Sequence, residues 1–304
     1  MPSTSSTEGL EIASISCRYG DVVALDGLSF VAARGRICGF VGRNGAGKTS
    51  AIRIILGLVA PAAGEVRWQG RPARAAERAG FGYMPERRAL YVRMRVEDQL
   101  VYFARLRGLS RADGAAAAGR WIERLGLGDR ARDRIWRLSL GEQQLVQFAA
   151  ALVHDPVLLL LDEPFSGLDA FGVDVMAEIL RERAALGAAV LFSSHQLDVV
   201  DRVCDDVAVL RSGRIAAAGQ VGDLRVRRGR GAWRVVVDGA GDGWIAGVAG
   251  ASVVDASGPG LLVALPAGTD EQTLLDAARA AGRVTHFARE QPTLAEVFKD
   301  VVGA

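Results

Sequence analysis

The most informative segment of the sequence is Gly42-Arg43-Asn44-Gly45-Ala46-Gly47-Lys48-Thr49. The apolar run Ile37–Val41 comes directly before it and is typical of a buried strand. After it, the helical spacing of Ile52, Ile55 and Leu56 predicts a helix. Glycines allow the turn between such a strand and helix to point its backbone N–H groups inward, toward an anion. We therefore expect a site for phosphate oxygens at the start of this helix.

This stretch matches the pattern G-x-x-x-x-G-K-[ST] of nucleotide-binding phosphate loops. Lys48 is expected to place a compact ammonium between the β- and γ-phosphates, and Thr49 to offer a hydroxyl to Mg²⁺. Only two of the 37 basic residues are lysines, so a chain that strongly favours arginine keeps a lysine at this position. A chance glycine turn is the alternative, and the flanking strand and helix argue against it.

A second set of polar residues follows the apolar run Leu158–Leu161, where Asp162 and Glu163 come directly after a predicted buried strand. Ligands of open α/β sheets bind outside the carboxyl ends of the strands. We expect Asp162 to hold Mg²⁺ and Glu163 to polarise the attacking water. A solvated acidic turn would be the alternative for this segment alone. Together with the phosphate loop, the pair indicates a P-loop nucleoside triphosphatase.

Further segments narrow this class. Leu138–Gln143, with the sequence LSLGEQ, resembles the signature sequence of the ATP-binding subunits of ABC transporters. Ser166–Asp169 resembles the loop that joins the two sites of that family's dimer. His195 resembles its switch histidine, and Tyr19 the aromatic residue that stacks on adenine. The resemblance covers residues 8–220 and follows the family's order of motifs.

The resemblance implies ATP and Mg²⁺ as cofactors and ATP hydrolysis as the activity. The catalytic residues would be Lys48, Glu163 and His195, and the Mg²⁺ ligands Thr49, Asp162 and Glu86. The ATP-binding residues that it implies are Tyr19, Gly42, Asn44, Gly45, Ala46, Gly47, Lys48, Thr49, Ser50, Glu86, Ser139, Gly141 and Asp169.

The chain departs from the family's pattern at two positions. The family usually has a glutamine at the start of the helical insertion, where this chain has Glu86. A carboxylate can still bind Mg²⁺. In the signature segment, Glu142 stands where glutamine is commonest, while Ser139 and Gly141, which carry the phosphate contact, are both present.

The resemblance also implies partners. The signature of one chain would face the phosphate loop of another, so we expect a head-to-tail dimer with a second copy or a homologous ATPase subunit. An integral membrane permease would dock on the surface near Leu90–Leu100 and hold the chain at the cytoplasmic face of the membrane. The segments Gly82–Tyr91 and Thr293–Phe298 are similar to ATPases of sodium-extrusion and drug-efflux exporters with a small C-terminal domain. Export is therefore the expected direction.

Composition sets limits on the function. A formal net charge of +2 does not describe a protein that wraps nucleic acid, and no nucleic-acid partner is expected. No stretch approaches the roughly 18–20 apolar residues that span a bilayer. The three widely spaced cysteines form neither a metal pattern nor a disulfide framework, which fits a reducing cytosol. Two other functions compete with this interpretation: an ABC ATPase of DNA repair or translation, and a nucleotide-sensing module without turnover. The sequence shows neither the coiled coil nor the second ATPase domain that the first function would require. Glu163 and His195 argue against the second function.

A length of 304 residues predicts one large α/β unit with an appendage. We predict an ABC-type P-loop fold over residues 8–220, with a mostly parallel sheet, an antiparallel β part and a helical subdomain at about 86–150. A disordered tail is expected at 1–7 and a glycine-rich basic linker at 221–231. Residues 232–304 are predicted to form a small α+β domain that ends in a helix over Thr293–Val302.

Overall fold

The computed structural model describes residues 8–228, 232–256, 258–266, 268–290, 293–295 and 298. The predicted tail at 1–7, the last predicted linker positions 229–231 and most of the predicted helix Thr293–Val302 lie outside these residues. The chain divides into two compact units, Met1–Gly219 and Gln220–Ala304.

Strands and helices alternate over most of the chain. The strands are β1 (Gly9–Tyr19), β2 (Val22–Ala33), β3 (Ile37–Gly42), β4 (Ala63–Trp68), β5 (Arg71–Pro72), β6 (Phe81–Met84), β7 (Leu158–Asp162), β8 (Ala189–Ser194), β9 (Asp206–Arg211), β10 (Arg214–Gln220), β11 (Ala232–Asp238), β12 (Ser252–Asp255), β13 (Leu261–Ala264) and β14 (Arg283–Glu290). The α-helices are α1 (Lys48–Ile55), α2 (Ala75–Ala79), α3 (Val96–Leu106), α4 (Arg111–Arg124), α5 (Leu140–Leu152), α6 (Ala170–Ala185), α7 (Leu197–Val203), α8 (Val221–Arg228) and α9 (Glu271–Ala281). Short 3₁₀ helices span Gly128–Arg130, Ile135–Arg137 and Asp242–Gly247.

A six-stranded sheet in the order β10-β9-β3-β8-β7-β6 forms the centre of the first unit. The pairs β9-β3, β3-β8, β8-β7 and β7-β6 are parallel, and β3, β7 and β8 are buried along their whole length. Parallel strands whose two faces are both covered are expected to be continuously apolar, which is what the runs Ile37–Val41 and Leu158–Leu161 predicted. Because β3 and β7 both pair in parallel with β8, their carboxyl ends lie at the same edge of the sheet. Gly42 is the last residue of β3, and Asp162 is the last residue of β7.

A second sheet, in the order β2-β1-β4-β5, is antiparallel and supplies the predicted antiparallel part. Its apolar side chains and those of the parallel sheet belong to one hydrophobic core, in which Phe30 of β2 stacks on Phe40 of β3 with ring centroids 5.1 Å apart. This core fixes β2 beside the phosphate loop. The predicted α/β P-loop fold is confirmed, although β4 and β6 were not recognised in the sequence.

Helices α3, α4 and α5 lie in the predicted helical subdomain. Ala104, Ala117 and Val153 form a small buried cluster among them. Helix α5 begins with a capping box, because the hydroxyl of Ser139 accepts from the Glu142 N–H at 3.2 Å and the Glu142 carboxylate accepts from the Ser139 N–H at 2.7 Å. No helix within the described ranges is long and apolar enough to cross a membrane.

The second unit contains a four-stranded sheet in the order β12-β13-β11-β14. Its core includes Val235, Val263 and Leu274, the last of which comes from α9. Trp233 and Phe287 stack with ring centroids 4.8 Å apart on paired strands, which favours a packing role for this tryptophan. The described part of this unit therefore has the α+β composition that the sequence predicted.

The predicted linker over 221–231 contains regular structure that the sequence analysis did not identify. The chain forms α8 over Val221–Arg228. Val221 and Leu224, three positions apart, are both buried, which is the spacing of one helical face. The predominance of arginine and glycine in this segment concealed that pattern.

Candidate nucleotide site

A cleft of about 350 Å³ lies where the carboxyl ends of β3 and β7 meet. It joins the phosphate loop to the two carboxylates that were predicted from a distant part of the sequence. Its lining consists of Val22, Val23, Ala24, Arg43, Asn44, Gly45, Ala46, Gly47, Lys48, Thr49, Ser50, Glu86, Asp162 and Glu163. Val22, Val23 and Ala24 were not predicted, because nothing in their local sequence indicates that β2 passes beside the loop. Arg43 belongs to the phosphate loop itself but was not among the predicted binding residues.

The backbone of the phosphate loop requires glycine at the start of α1. Gly47 is the N-cap of α1 and has a φ of 110°, which side chains disfavour. A Cβ atom there would lie 2.5 Å from the carbonyl oxygen of Ala24, so this strand leaves no room for a side chain. The Ala46 carbonyl also accepts a hydrogen bond from the Gly213 N–H at 3.1 Å. The loop is thus held by β2 and by the turn that joins β9 to β10.

Lys48 is largely buried, with 7% of its surface exposed. Its Nζ donates to the Gly42 carbonyl at 2.7 Å and lies 3.8 Å from Oε1 of Glu163. The ammonium therefore rests between the loop and the carboxylate that follows β7. An ammonium with free donor capacity at a helix N-terminus is suited to phosphate oxygens.

Asp162 is fixed by hydroxyl groups on both sides. Its Oδ2 accepts from Thr49 Oγ1 at 2.9 Å, and its Oδ1 accepts from Ser193 Oγ at 2.5 Å. A hydroxyl and a carboxylate oxygen form the hard donor set that Mg²⁺ prefers, usually completed by water and substrate phosphates. In the described residues there is no cluster of three or more His, Cys, Asp or Glu side chains that would hold a metal alone. The donor set fits Mg²⁺ held jointly with a nucleotide.

Glu163 occupies an unusual backbone conformation, with a φ of 50°. Its N–H donates to the carbonyl and to the hydroxyl of Ser193, at 3.2 and 3.0 Å. The side chain is buried, and its Oε2 lies 2.9 Å from Nδ1 of His195, whose own side chain is about half exposed. Two of the predicted catalytic residues are thus in direct contact. Ser193 was not predicted, because its contact with Asp162 depends on the pairing of β8 with β7.

Other predicted residues lie outside the cleft lining. Tyr19 is exposed at the end of β1. Asp169 caps α6, where its Oδ1 accepts from the Gly172 N–H at 2.8 Å. Among the described residues that line the cleft, neither Ser139 nor Gly141 occurs, and both lie at the N-terminal end of α5. One chain thus brings together the phosphate loop, Glu86 and the carboxylates, and leaves the signature residues on a separate surface.

The chain is similar in sequence to known proteins. A family model described as ABC transporter matches residues 25–166, and one described as the C-terminal domain of DrrA1-3-like ATP-binding proteins matches residues 219–302. The ABC transporter ATP-binding protein YhaQ of Bacillus subtilis is 33% identical over 296 residues, which are 97% of this chain and 99% of the relative. The Nod factor export ATP-binding protein I of Rhizobium meliloti is 34% identical over 223 residues, 72% of this chain and 67% of that protein.

Solved structures agree with the fold. The structure of an ATP-binding subunit of an ABC transporter is 32% identical and superposes with a TM-score of 0.67, covering 72% of this chain and 92% of that chain. The near-complete match to the Bacillus subtilis protein extends the similarity to both units. The family that the sequence motifs predicted is confirmed: the chain belongs to the ATP-binding proteins of ABC transporters, ATPases that hydrolyse ATP to power transport.

Proposed function

We propose that this chain is the motor of an ABC exporter, acting as a head-to-tail dimer that encloses two ATP molecules and drives a separate membrane permease. Its place would be the cytoplasmic face of the membrane, held there by the permease. The single observation that carries the proposal is the convergence of Lys48, Thr49, Asp162 and Glu163 at one cleft. These residues supply the charge and the base that phosphoryl transfer requires.

In this chain the Lys48 ammonium contacts two groups of its own chain. Lys48 Nζ lies 3.8 Å from Glu163 Oε1 and bonds to Gly42 in the same chain. When phosphate oxygens enter the loop, Lys48 moves its charge from Glu163 to the phosphates, where the loop N–H groups also point. The Glu163 carboxylate then no longer has the Lys48 ammonium beside its Oε1 atom.

Glu163 then orients the attacking water. Its Oε2 is engaged by His195 Nδ1 at 2.9 Å, so Oε1 is the oxygen left to accept a hydrogen bond from water. The N–H bonds from Glu163 to Ser193 fix the backbone that carries this carboxylate. His195, which contacts Glu163 and is about half exposed, would steady the γ-phosphate, as the family resemblance implies.

Mg²⁺ would be held by Thr49 and Asp162, with Glu86 at the same cleft, and would neutralise charge on the phosphates. Asp162 cannot turn away easily, because Ser193 occupies its second oxygen. The chain's own contribution is therefore a carboxylate whose Oδ2 is directed at the Thr49 hydroxyl.

The dimer is supported by the position of the signature. Ser139 and Gly141 lie at a helix N-terminus, which attracts anions, and the residue between them, Leu140, is exposed. In the proposed arrangement these residues complete the cleft of a second copy or of a homologous ATPase subunit. Asp169, which ends the Ser166–Asp169 segment, and the exposed Phe171 would lie in the same interface.

Docking to the permease is supported by an aromatic patch on the helical subdomain, beside the predicted surface Leu90–Leu100. Tyr91 and Tyr102 pack edge to face with ring centroids 5.6 Å apart, and both are exposed. Exposed apolar groups of this kind favour burial against a partner. The exposed Val92, Leu106 and Trp136 lie in the same subdomain, where the Trp136 N–H donates to the Val92 carbonyl at 3.0 Å. Export is supported by the similarity to the Nod factor export protein and by the DrrA1-3-like C-terminal match.

The test is capture of a membrane partner. The tagged full chain is expressed together with the membrane protein encoded beside its gene, and the two are expected to copurify and to expel substrate from vesicles with ATP. Trp136→Glu should weaken this capture. Leu186→Glu, at an exposed position after α6, is the matched control and should leave it unchanged. Recovery of nucleic acid without a membrane protein would overturn the proposal in favour of a repair or translation ATPase.

A further inference from the structure

Helix α5 carries two buried glutamines on one face. Gln144 and Gln147 stand three positions apart, and each is 3% exposed. Their amide groups bond to the backbones of two different segments, both of which supply carboxylates to the cleft. The N-terminal end of the same helix carries Ser139 and Gly141.

Gln147 spans the segment that contains Glu86. Its Nε2 donates to the Pro85 carbonyl at 2.6 Å, and its Oε1 accepts from the Ala89 N–H at 2.9 Å. These bonds bracket Glu86, which lines the cleft. Arg88 adds a longer contact of 3.5 Å to the carbonyl of Leu140, in the first turn of α5. The segment from Pro85 to Ala89 is therefore attached to α5 at three points.

Gln144 holds the segment of the other carboxylate. Its Nε2 donates to the Pro164 carbonyl at 2.8 Å and approaches the Glu163 carbonyl at 3.4 Å. A buried amide whose partners are backbone atoms transmits displacement, because a movement of the helix must either carry the partners along or leave buried groups unpaired.

We propose that Gln147 is a positioning residue of the ATPase cycle. Through its two bonds it makes the position of Glu86 follow that of α5, so that engagement of Ser139 and Gly141 by a partner is passed to the cleft. The inference rests on the proposed function in one respect, namely that Glu86 contributes to hydrolysis. It adds the route by which the signature helix reaches that carboxylate.

The experiment is a double-mutant cycle on the purified full chain, with Gln147→Met, Glu86→Ala and both together. Gln147→Met is expected to lower kcat by about 10–100-fold, the usual cost of losing a supporting contact, and to change KM for ATP by less than about threefold. In the Glu86→Ala background the same change should lower kcat by less than about twofold, since coupled residues are not additive. Without nucleotide, the Ala89 amide should exchange hydrogen faster in Gln147→Met than in the parent.

Gln99→Met is the matched control. Gln99 is a buried glutamine of α3 whose Oε1 accepts from the Tyr91 N–H at 2.6 Å, outside the segment that Gln147 spans. This variant loses a comparable buried bond in the same subdomain, and its kcat should stay within about twofold of the parent, as expected for independent sites. Equal losses of kcat in both variants would reduce Gln147 to a general packing role and overturn the inference.

Two failures are distinguishable. If Glu86→Ala lowers kcat but Gln147→Met does not, or if the two losses multiply independently, the positioning role is refuted. If Glu86→Ala keeps the parental kcat, the role of Glu86 in the proposed function fails instead, and the positioning role fails with it.

If Gln147→Met does not fold, Gln147→Glu replaces it. The neutral acid can donate to Pro85 while accepting from Ala89, and the ionised form cannot donate. Its kcat relative to the parent should therefore rise as pH falls, and a ratio independent of pH would overturn the inference.

Discussion

The phosphate-loop half and the signature half of this ATPase are built differently. Lys48, Asp162 and Glu163 are at most 9% exposed and bond to groups of their own chain. By contrast, the surface at the start of α5 that carries Ser139 and Gly141, here called the signature corner, has exposed apolar side chains. Leu140 is 61% exposed, and the nearby Phe171 is 73% exposed. The geometry of the first half is held by hydrogen bonds within the chain. The second presents a helix N-terminus outward, so we infer that it works on the nucleotide of another chain.

In the phosphate-loop half, the largest loss of activity is expected from Glu163→Gln. Removing the base while keeping the shape should lower kcat by about 10²–10⁴-fold, the usual contribution of general base catalysis. ATP binding should persist, because Lys48 and the loop are untouched. Turnover and equilibrium nucleotide binding measure the two effects separately. Activity near the parental level would remove Glu163 from the catalytic role.

The comparison itself is tested by mixing two defective chains. Lys48→Ala should lose ATP binding, and Ser139→Arg should block the signature corner, so that each alone has little activity. A mixed head-to-tail dimer combines both defects in one site and leaves the other site intact. ATPase activity should therefore reappear on mixing, at a fraction of the parental value. If mixing restores nothing, the two halves do not meet between chains.

A smaller effect is expected from Ser193→Ala, which removes the hydroxyl that holds Oδ1 of Asp162. The Mg²⁺ concentration for half-maximal ATPase activity should rise by about 10–100-fold, as is usual when a supporting group of a metal ligand is lost. Thr49→Ser, which keeps the hydroxyl at the site, is the control and should shift this concentration much less. An unchanged Mg²⁺ dependence in Ser193→Ala would show that Asp162 keeps its orientation without the Ser193 hydroxyl.

The smallest effect concerns the cap of the signature helix. Hydrogen bonding to the Ser139 backbone holds the pKa of Glu142 below its ordinary value, with help from Arg130. A lowered folded-state pKa gives stability that is present above the unfolded pKa and is lost as pH falls through the folded one. Glu142→Gln should therefore cost about 0.3–1 kcal/mol of unfolding free energy at pH 7. Denaturant titration should show this difference vanishing in acid; a constant difference would contradict the capping role.

Much of the fold was predictable because its signals are local. The run Ile37–Val41 and the glycine loop specify a strand, a turn and a helix whatever the rest of the chain does, and α1 begins at Lys48 as the pattern requires. Leu158–Leu161 is buried on both faces and carries its own signal. The helical spacing of Val221 and Leu224 was also present but was obscured by the surrounding arginines.

The parts that were missed depend on contacts between distant segments. Ser193 supports Asp162 only because β8 pairs with β7, and Gln147 supports the Glu86 segment only because α5 packs beside it. A serine in an apolar strand or a glutamine in a helix carries no such information by itself. The prediction of adenine stacking by Tyr19 stays a prediction, since this residue lies outside the cleft lining.

The hydrogen bond between Gly213 and the phosphate loop has a consequence for how this protein tolerates mutation. Gly213 has a φ of 78°, and a Cβ there would lie 2.8 Å from the Ala24 carbonyl, the same atom that excludes a side chain at Gly47. Replacement at either glycine therefore pushes on one shared carbonyl, although 166 positions separate them. In a scan of all single substitutions, Gly213 should be as sensitive as the loop glycines, and a variant there would be misjudged by its distance in sequence from every nucleotide motif.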